Sequence, residues 1–158
     1  MQLPDRDSLQ AHLSAHIAPA RALGLELVGI DPVTIAAPLG PNVNDKGTAF
    51  AGSLFSAAAL AGWLQLTQWC AARTLEAQIV LQKADAQFLA PARAPFRAIA
   101  RESSAQERER LAVLLARRGR GRIALAVEVS CEATLVMRLA AVYAVTLSTA
   151  LAPGSAGR

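Results

Sequence analysis

The stretch NVNDKGTAFAGSLFSAAALAGWLQL, residues 42–66, runs from a polar loop into a long uncharged segment. Pro, Gly, Asn and Asp dominate residues 38–47, a composition typical of loops and turns. No residue from Ala49 to Leu66 is charged, and the apolar character continues to about Ala72. Because apolar side chains would cover every side of a helix here, we expect that helix to be enclosed by the rest of the protein.

A membrane-spanning helix is the alternative interpretation of the same segment. Its 18 residues without charge approach the length that crosses a bilayer. The Gly and Ser residues within it favour a buried core helix, and Arg138 interrupts the other long apolar segment, near the C terminus. We therefore expect no association with membranes.

Strand and turn signals surround the apolar segment. Before it, a short helix with Ser8 as its predicted N-cap precedes two strands that meet at the turn Asp31-Pro32. After it, a surface helix over residues 105–117, capped by Ser103 or Ser104, separates two pairs of strands. Those strands are predicted over residues 78–89, 96–101, 123–129 and 135–147.

The connections between these strands indicate the sheet type. Turns of hairpin length join consecutive strands, and Pro91 and Pro95 confine one of them. Gly119 and Gly121 are expected to end the surface helix. Short turns imply an antiparallel sheet, and a curved antiparallel sheet can cover an apolar helix. The sequence therefore predicts an α+β protein with an antiparallel sheet around a central helix.

The composition indicates one globular domain. The chain has 158 residues, of which 53% are hydrophobic and 18% are charged, proportions unlike those of a disordered chain. We expect a single domain over residues 1–150 and a frayed tail over residues 151–158. Cys70 and Cys131 match no metal-binding or redox spacing, and the first residues lack a signal-peptide pattern. A cytoplasmic protein with reduced thiols is therefore expected.

Two other groups of reactive side chains predict no chemistry of their own. His12 and His16 are spaced to share one helix face, but no acidic or third ligand accompanies them, so no metal site is predicted. Ser53 and Ser56 lie on the apolar helix without a partner histidine, so a serine nucleophile is not expected.

Three segments resemble sequences of one known superfamily. Residues 42–55 resemble the N-x-N-x-x-G-T-x-F-x-G-S signature of the putative thioesterase domain called YiiD C-terminal-like. The sequence FLAPA at residues 88–92 resembles the strand-ending aromatic-Leu-x-Pro of many hotdog thioesterases, and residues 121–129 resemble the family's strand after its surface helix. The resemblance covers about residues 9–148 and implies the hotdog fold, in which an antiparallel sheet wraps around a long central helix.

The resemblance implies hydrolysis of an acyl-CoA or acyl-carrier-protein thioester, which needs a polarised carbonyl and an attacking water. A helix that begins near Ala51 would direct unpaired amides and the positive end of its dipole at the carbonyl oxygen. Asn44 holds the place of the superfamily's loop asparagine and would orient the water. Asp45, the one carboxylate of the loop, would accept the proton. Substrate contacts are expected from Asn42, Gly47, Thr48, Phe50, Ala51, Gly52, Ser53 and Asp85.

Each candidate also has a purely structural interpretation. Asp45 would then be a solvent-facing turn residue beside Lys46, and the loop asparagines would cap backbone groups of the turn. The glycines would serve a tight turn. Asp85, the second candidate for the base, would belong to a polar sheet face.

The expected partners follow from charge and from the resemblance. Of 16 basic side chains, four cluster at the junction between the surface helix and the next strand, at Arg117, Arg118, Arg120 and Arg122. A solvated turn is one interpretation of the cluster, and a contact with coenzyme A phosphates is another. No nucleic-acid-binding motif accompanies it, so nucleic acid is not expected. We expect no cofactor other than a coenzyme A thioester as substrate, and a homodimer or tetramer joined through sheet edges.

Departures from a related branch leave a second function open. The phenylacetyl-CoA branch of the superfamily opens its helix with His-Gly-Gly, where this chain has Phe50, Ala51 and Gly52. That branch also carries a helix carboxylate where this chain has Ala59. The alternative to a thioesterase is therefore a protein that binds acyl thioesters without hydrolysing them. A dehydratase or isomerase would need a histidine that the loop lacks. The sequence leaves the acyl chain, the carrier and the pathway open.

Overall fold

The computed structural model describes residues 5–148, and the predicted tail over residues 151–158 lies outside them. The elements follow in the order α1 (Arg6–His16), α2 (Ala18–Ala22), β1 (Glu26–Ile30), β2 (Val33–Ala37), a 3-10 turn (Gly40–Asn42), α3 (Ala51–Ala71), β3 (Ala77–Phe88), β4 (Phe96–Ala100), α4 (Ala105–Arg118), β5 (Arg120–Cys131) and β6 (Thr134–Leu147). Among the helices of the described part, none is both long and apolar enough to cross a membrane.

The six strands form one sheet around α3. Their order is β1-β2-β4-β5-β6-β3, and every neighbouring pair is antiparallel. α3 packs against all strands from β2 to β6. Because this helix has no polar face, the sheet curves to cover it. The arrangement confirms the predicted α+β hotdog fold.

The helix α3 contributes small side chains to the core, and the sheet contributes large ones. Ala57 and Ala61 are fully buried, so the strands approach the helix closely. The approach is tightest at Gly62, where an added Cβ would lie 2.4 Å from Tyr143 Oη. The Tyr143 hydroxyl donates a 2.7 Å hydrogen bond to the Ala59 carbonyl. Burial raises the pKa of Tyr143, so this hydroxyl stays a neutral donor.

The pairing of β3 differs from the sequence-based expectation. The expected hairpin of β3 with β4 is wrong, because β3 pairs with β6 at one edge and β4 lies between β2 and β5. After β3, the Leu89 amide donates to the Val136 carbonyl at 2.8 Å, and the Ala92 carbonyl accepts the Ala49 amide at 2.8 Å. The connecting segment therefore passes the start of α3 instead of folding back onto β3.

At the ends of the helices, the structure differs from two smaller predictions. Asp5, and not Ser8, is the N-cap of α1, since Asp5 Oδ1 accepts the Ser8 amide at 2.7 Å. A carboxylate cap also interacts favourably with the helix dipole. The predicted cap at Ser104 is confirmed for α4. Gly119 ends α4 in the left-handed conformation, at a φ of 66°, whereas Gly121 lies within β5 and does not end the helix.

We predict that Gly62→Ala destabilises the protein, because the new methyl group would displace Tyr143 and break its hydrogen bond to Ala59. Overpacking costs about 1–3 kcal/mol and the lost hydrogen bond about 1 kcal/mol, which together exceed the gain of about 1 kcal/mol in helix propensity. Urea denaturation measures the loss. Gly40→Ala is the control, since no atom lies within 4 Å of its added Cβ. Equal decreases in the free energy of unfolding for the two variants would contradict the close contact between Gly62 and Tyr143.

Candidate active site

Asn44 organises the turn that leads into α3. Its Oδ1 accepts the backbone amides of Lys46 at 2.9 Å and Thr48 at 3.1 Å, and its Nδ2 donates to Thr48 Oγ1 at 3.0 Å. The Asn44 amide also donates to the Thr48 carbonyl at 2.8 Å. Gly47 adopts a φ of 71° within this turn, a conformation that residues with side chains disfavour. The Asn44 side chain therefore holds the loop in one geometry.

Asn42 ties the loop to the preceding part of the chain. Its side chain is 2% exposed, and Nδ2 donates to the carbonyls of Leu23 at 2.8 Å and Pro38 at 2.7 Å. Its backbone carbonyl accepts the Phe50 amide at 2.7 Å, directly before α3. The buried Oδ1 has no hydrogen-bond partner among residues 5–148. Asn42 therefore fixes the place at which α3 begins.

The first turn of α3 presents two unpaired backbone amides. Phe50 is the N-cap, and no side chain caps the helix there. The Phe50 carbonyl accepts the amides of Ser53 at 3.0 Å and Leu54 at 3.2 Å. The amides of Ala51 and Gly52 have no protein partner within the described residues. Two adjacent N–H groups at the positive end of a 21-residue helix can stabilise a negatively charged oxygen.

An apolar ring borders these amides. A Cβ at Gly52 would lie 2.4 Å from Phe50 Cε1, so a side chain at this position would displace the ring. The ring is 56% exposed and therefore lies at the protein surface. Ser53, one residue further along the helix, is buried. A surface ring beside polar N–H groups suits a ligand with an apolar part next to a carbonyl group.

The segment after β3 lies beside the residues that lead into α3. Ala92 is fully buried, and its hydrogen bond to Ala49 anchors the FLAPA sequence of residues 88–92 beside the loop. Two segments that are distant in the sequence thus lie side by side at the candidate site.

The sequence over residues 6–147 matches the model of one protein family, which is described as Putative thioesterase (yiiD_Cterm). The chain belongs to this family. The matched residues include every helix and strand of the hotdog fold described above, from α1 to β6, with the candidate site among them. No curated protein matches the sequence significantly.

Three solved structures share the fold of this thioesterase-family chain. A protein of unknown function from Chlorobaculum tepidum TLS is 26% identical with a TM-score of 0.86, over 91% of this chain and 98% of that one. A putative thioesterase from Shewanella oneidensis is 23% identical with a TM-score of 0.79, and the match covers 90% of this chain and 97% of that one. A Pseudomonas aeruginosa protein of unknown function, described as a probable thioesterase, is 23% identical with a TM-score of 0.76. The match covers 94% of this chain and 100% of that one.

The structure separates the two candidate bases of this family member. The Asp45 carboxylate is 78% exposed and lies 2.8 Å from Lys46 Nζ, in the turn before α3. Asp85 lies on β3 and lines a different surface pocket, together with Glu128 and Arg138. The catalytic role of either carboxylate stays a prediction. The loop and the helix start together hold the other candidates, Asn42, Asn44, Gly47, Thr48, Phe50, Ala51, Gly52 and Ser53.

Sequence reasoning did not identify the backbone groups that support the site. The carbonyls of Leu23, Pro38 and Ala92 hold the loop and the helix start in place. Every residue type carries a carbonyl, so no residue pattern marks these three. Only the course of the chain in space brings them to the site.

We predict losses of stability of different size for the same chemical change at two loop asparagines. Asn42→Asp replaces a buried donor with a carboxylate facing the Leu23 and Pro38 carbonyls, so the free energy of unfolding should fall by more than about 2 kcal/mol at neutral pH. Asn44→Asp keeps the oxygen that accepts two backbone amides, and the hydroxyl of Thr48 can donate to the second oxygen. Asn44→Asp should therefore lower the free energy of unfolding by less than about 1 kcal/mol. Urea denaturation measures both changes. Equal decreases in the free energy of unfolding for the two variants would contradict these hydrogen-bond assignments.

Proposed function

We propose that the protein hydrolyses the thioester bond of an acyl-CoA or an acyl carrier protein. The observation that carries the proposal is the pair of unpaired amides of Ala51 and Gly52 at the start of α3. Negative charge develops on the carbonyl oxygen when water attacks, and preorganised N–H groups stabilise that charge. Membership in a thioesterase family supports the same reaction.

In this proposal, Asn44 and Asp45 supply the attacking water. One Nδ2 hydrogen of Asn44 bonds to Thr48, and the second, which has no partner among the described residues, can hold the water. Asp45 accepts a proton as the water oxygen bonds to the carbonyl carbon. When the tetrahedral intermediate collapses, the carbon–sulfur bond breaks and the thiolate takes up this proton. The products are a carboxylic acid and a thiol.

The exposure of Asp45 sets a condition on its role. The Asp45 carboxylate is exposed to solvent and lies beside the Lys46 ammonium group, so bulk water reaches the group that is to accept the proton. Bound substrate or a second subunit would exclude this water from the reacting groups. The mechanism therefore needs the loop to be covered in the reacting complex.

We also propose a homodimer joined at the free edges of β3. Within residues 5–148, this strand pairs with β6 on one side only, and the backbone groups along its 12 residues have no partner strand on the other. Val80 and Phe88 on β3 are 59% and 52% exposed. A long, partly apolar edge favours pairing with a second chain. A tetramer would need one further contact between dimers.

Light scattering at micromolar concentration should give twice the chain mass of 16.5 kDa. Val80→Lys should raise the monomer fraction, because a charged side chain on an edge strand opposes pairing. Val113→Lys, the same change at an exposed valine of α4, is the control. A single-chain mass for the unaltered protein would contradict the dimer.

Binding without hydrolysis is the second candidate function. The observation that favours it is Ala59, which stands where the phenylacetyl-CoA branch has a helix carboxylate. Its side chain can neither activate water nor attack the carbonyl. A binding protein of this kind would hold the thioester at the start of α3 and release it intact.

We place this activity in the cytoplasm. Cys70 and Cys131 are free and buried thiols, which suits a reducing compartment. Burial raises the pKa of Cys70 to about 11, so its thiol stays protonated and unreactive. Coenzyme A would enter as part of the substrate and not as a resident cofactor.

A thiol-release assay over acyl-CoA substrates of increasing chain length tests the proposed reaction. We expect turnover with at least one chain length. Asp45→Asn should lower kcat by at least about 10²-fold while the fold and substrate binding stay intact, because a general base contributes about that much. Asp7→Asn, the same charge change on α1, is the matched control and should keep the turnover unchanged.

Two outcomes would contradict parts of this account. Turnover of the Asp45→Asn variant within about threefold of the unaltered protein would remove Asp45 from the mechanism and make Asp85→Asn the next test. Acyl-CoA binding without any thiol release would replace hydrolysis by the binding function.

A further inference from the structure

A pocket of about 340 Å³ lies at the end of α3, and we call it the α3-end pocket. The turn between β1 and β2, the strand β5 and the segment that leads into α4 form its other sides. One wall consists of buried core side chains, namely Val33, Leu66, Ile123 and Leu125. Polar and charged side chains form the rest of the lining. An apolar wall with a few polar groups is the usual form of a small-molecule site.

The α3-end pocket is separate from the candidate active site. Gln65, the first residue of α3 that lines the pocket, follows Ala51 by 14 positions (65 minus 51). Fourteen residues of an α-helix span about 21 Å. Among the described residues that line the pocket, none belongs to β3. The pocket is therefore not part of the proposed dimer contact either.

Two buried polar atoms of the lining residues have no hydrogen-bond partner in the part of the chain from residue 5 to residue 148. They are Gln65 Oε1, which is an acceptor, and Trp69 Nε1, which is a donor. A buried polar group without a partner costs free energy, and native proteins leave few such groups unpaired. A ligand that supplies one donor and one acceptor would satisfy both atoms.

The spacing of the two residues favours an amide as the group that supplies both partners. Gln65 and Trp69 are four residues apart on α3, so their side chains are neighbours on one face of the helix. An amide carries its N–H donor and its carbonyl acceptor on one carbon atom. Its N–H can donate to Gln65 Oε1 while its oxygen accepts from Trp69 Nε1. A carboxylate lacks the donor, and an ammonium group lacks the acceptor.

The charges and the size of the α3-end pocket define the rest of the ligand. The lining holds two acidic and two basic side chains, Asp31, Glu102, Arg73 and Arg108, so its formal charges cancel. Glu102 and Arg108 form an ion pair at 2.9 Å. The balance favours a ligand without net charge. Because a water molecule takes about 30 Å³ of the liquid, the volume suits a ligand of about ten non-hydrogen atoms.

A side chain must move before a ligand reaches the two atoms, since both are covered by protein in the structure. The guanidinium group of Arg73 lies 4.2 Å from the centroid of the Trp69 ring, and its Nη1 donates to the Trp69 carbonyl at 3.4 Å. Arg73 is exposed, and such surface contacts are weak. We therefore expect Arg73 to swing away from the ring when a ligand enters.

We infer that the α3-end pocket binds a small neutral molecule in which an apolar ring carries a primary or cyclic amide. The amide lies between Gln65 and Trp69, and the ring lies against the apolar wall. This inference goes beyond the proposed function, because the pocket lies about 21 Å along α3 from the amides of the candidate active site.

The indole N–H signals of the two tryptophans test the pocket directly. Trp63 and Trp69 each give one such signal in a proton–nitrogen correlation spectrum, and Trp63→Phe assigns them. The probe is benzamide, titrated to about tens of millimolar because so small a molecule binds weakly. We expect a saturable shift of the Trp69 signal and no shift of the Trp63 signal. An unmoved Trp69 signal, or equal shifts of both signals, would overturn the inference.

Two molecules of similar shape test the role of the amide. Benzoate has no donor at neutral pH, and N,N-dimethylbenzamide keeps the carbonyl but has no N–H group. Each should bind at least about fivefold more weakly than benzamide, because Gln65 Oε1 stays without a partner. Equal affinity for the three molecules would contradict recognition of an amide.

Gln65→Leu tests the acceptor of the pocket. The variant should fold, because leucine is similar in size and removes a buried polar atom that has no partner within the described residues. Its affinity for benzamide should be at least about fivefold lower. Gln106→Leu is the matched control, since Gln106 is exposed on α4 and does not line the pocket. Unchanged affinity in Gln65→Leu would overturn the assignment of the acceptor.

A crystal structure of the protein with benzamide shows the contacts themselves. We expect the benzamide nitrogen within about 3.2 Å of Gln65 Oε1 and its oxygen within about 3.2 Å of Trp69 Nε1. A direct hydrogen bond between these two side chains, with benzamide bound elsewhere or not at all, would overturn the inference. None of these measurements involves thiol release, so their failure and the failure of the proposed hydrolysis are distinguishable.

Discussion

The burial of the sheet-facing side of α3 is the constraint on which the rest of the structure depends. This helix carries no charge, and burial of its apolar side chains away from water stabilises the fold. Five strands cover it, and they approach closely because Ala57, Ala61 and Gly62 present little volume. Large side chains such as Tyr143 then come from the sheet. The curvature of the sheet follows from the need to enclose a narrow apolar helix.

The same burial gives the start of α3 its chemical properties. Packing against five strands holds the helix in place, and its first amides with it. Asn42 and Asn44 fix the loop that enters the helix through hydrogen bonds to backbone groups. The amides of Ala51 and Gly52 thus form a preorganised pair of donors, the arrangement that stabilises a developing oxyanion at little reorganisation cost.

The parts of the fold that depend on local pattern could be predicted from the sequence, and those that depend on distant strands could not. The apolar run of α3 and the alternation along β5 follow directly from burial. The position of β3 beside β6 could not be predicted, because the segment with Pro91 and Pro95 has the length of a hairpin turn. At the candidate site, asparagine suits both turns and catalysis, so its residue type left two interpretations of Asn44.

The central claim is that the amides at the start of α3 receive the thioester carbonyl. A crystal structure with an acyl-CoA analogue in which a methylene group replaces the sulfur tests this most directly, since the analogue keeps the carbonyl and resists hydrolysis. The account predicts its carbonyl oxygen at about 2.7–3.1 Å from the amide nitrogens of Ala51 and Gly52. A carbonyl bound at any other place, with both amides free of the ligand, would contradict the account.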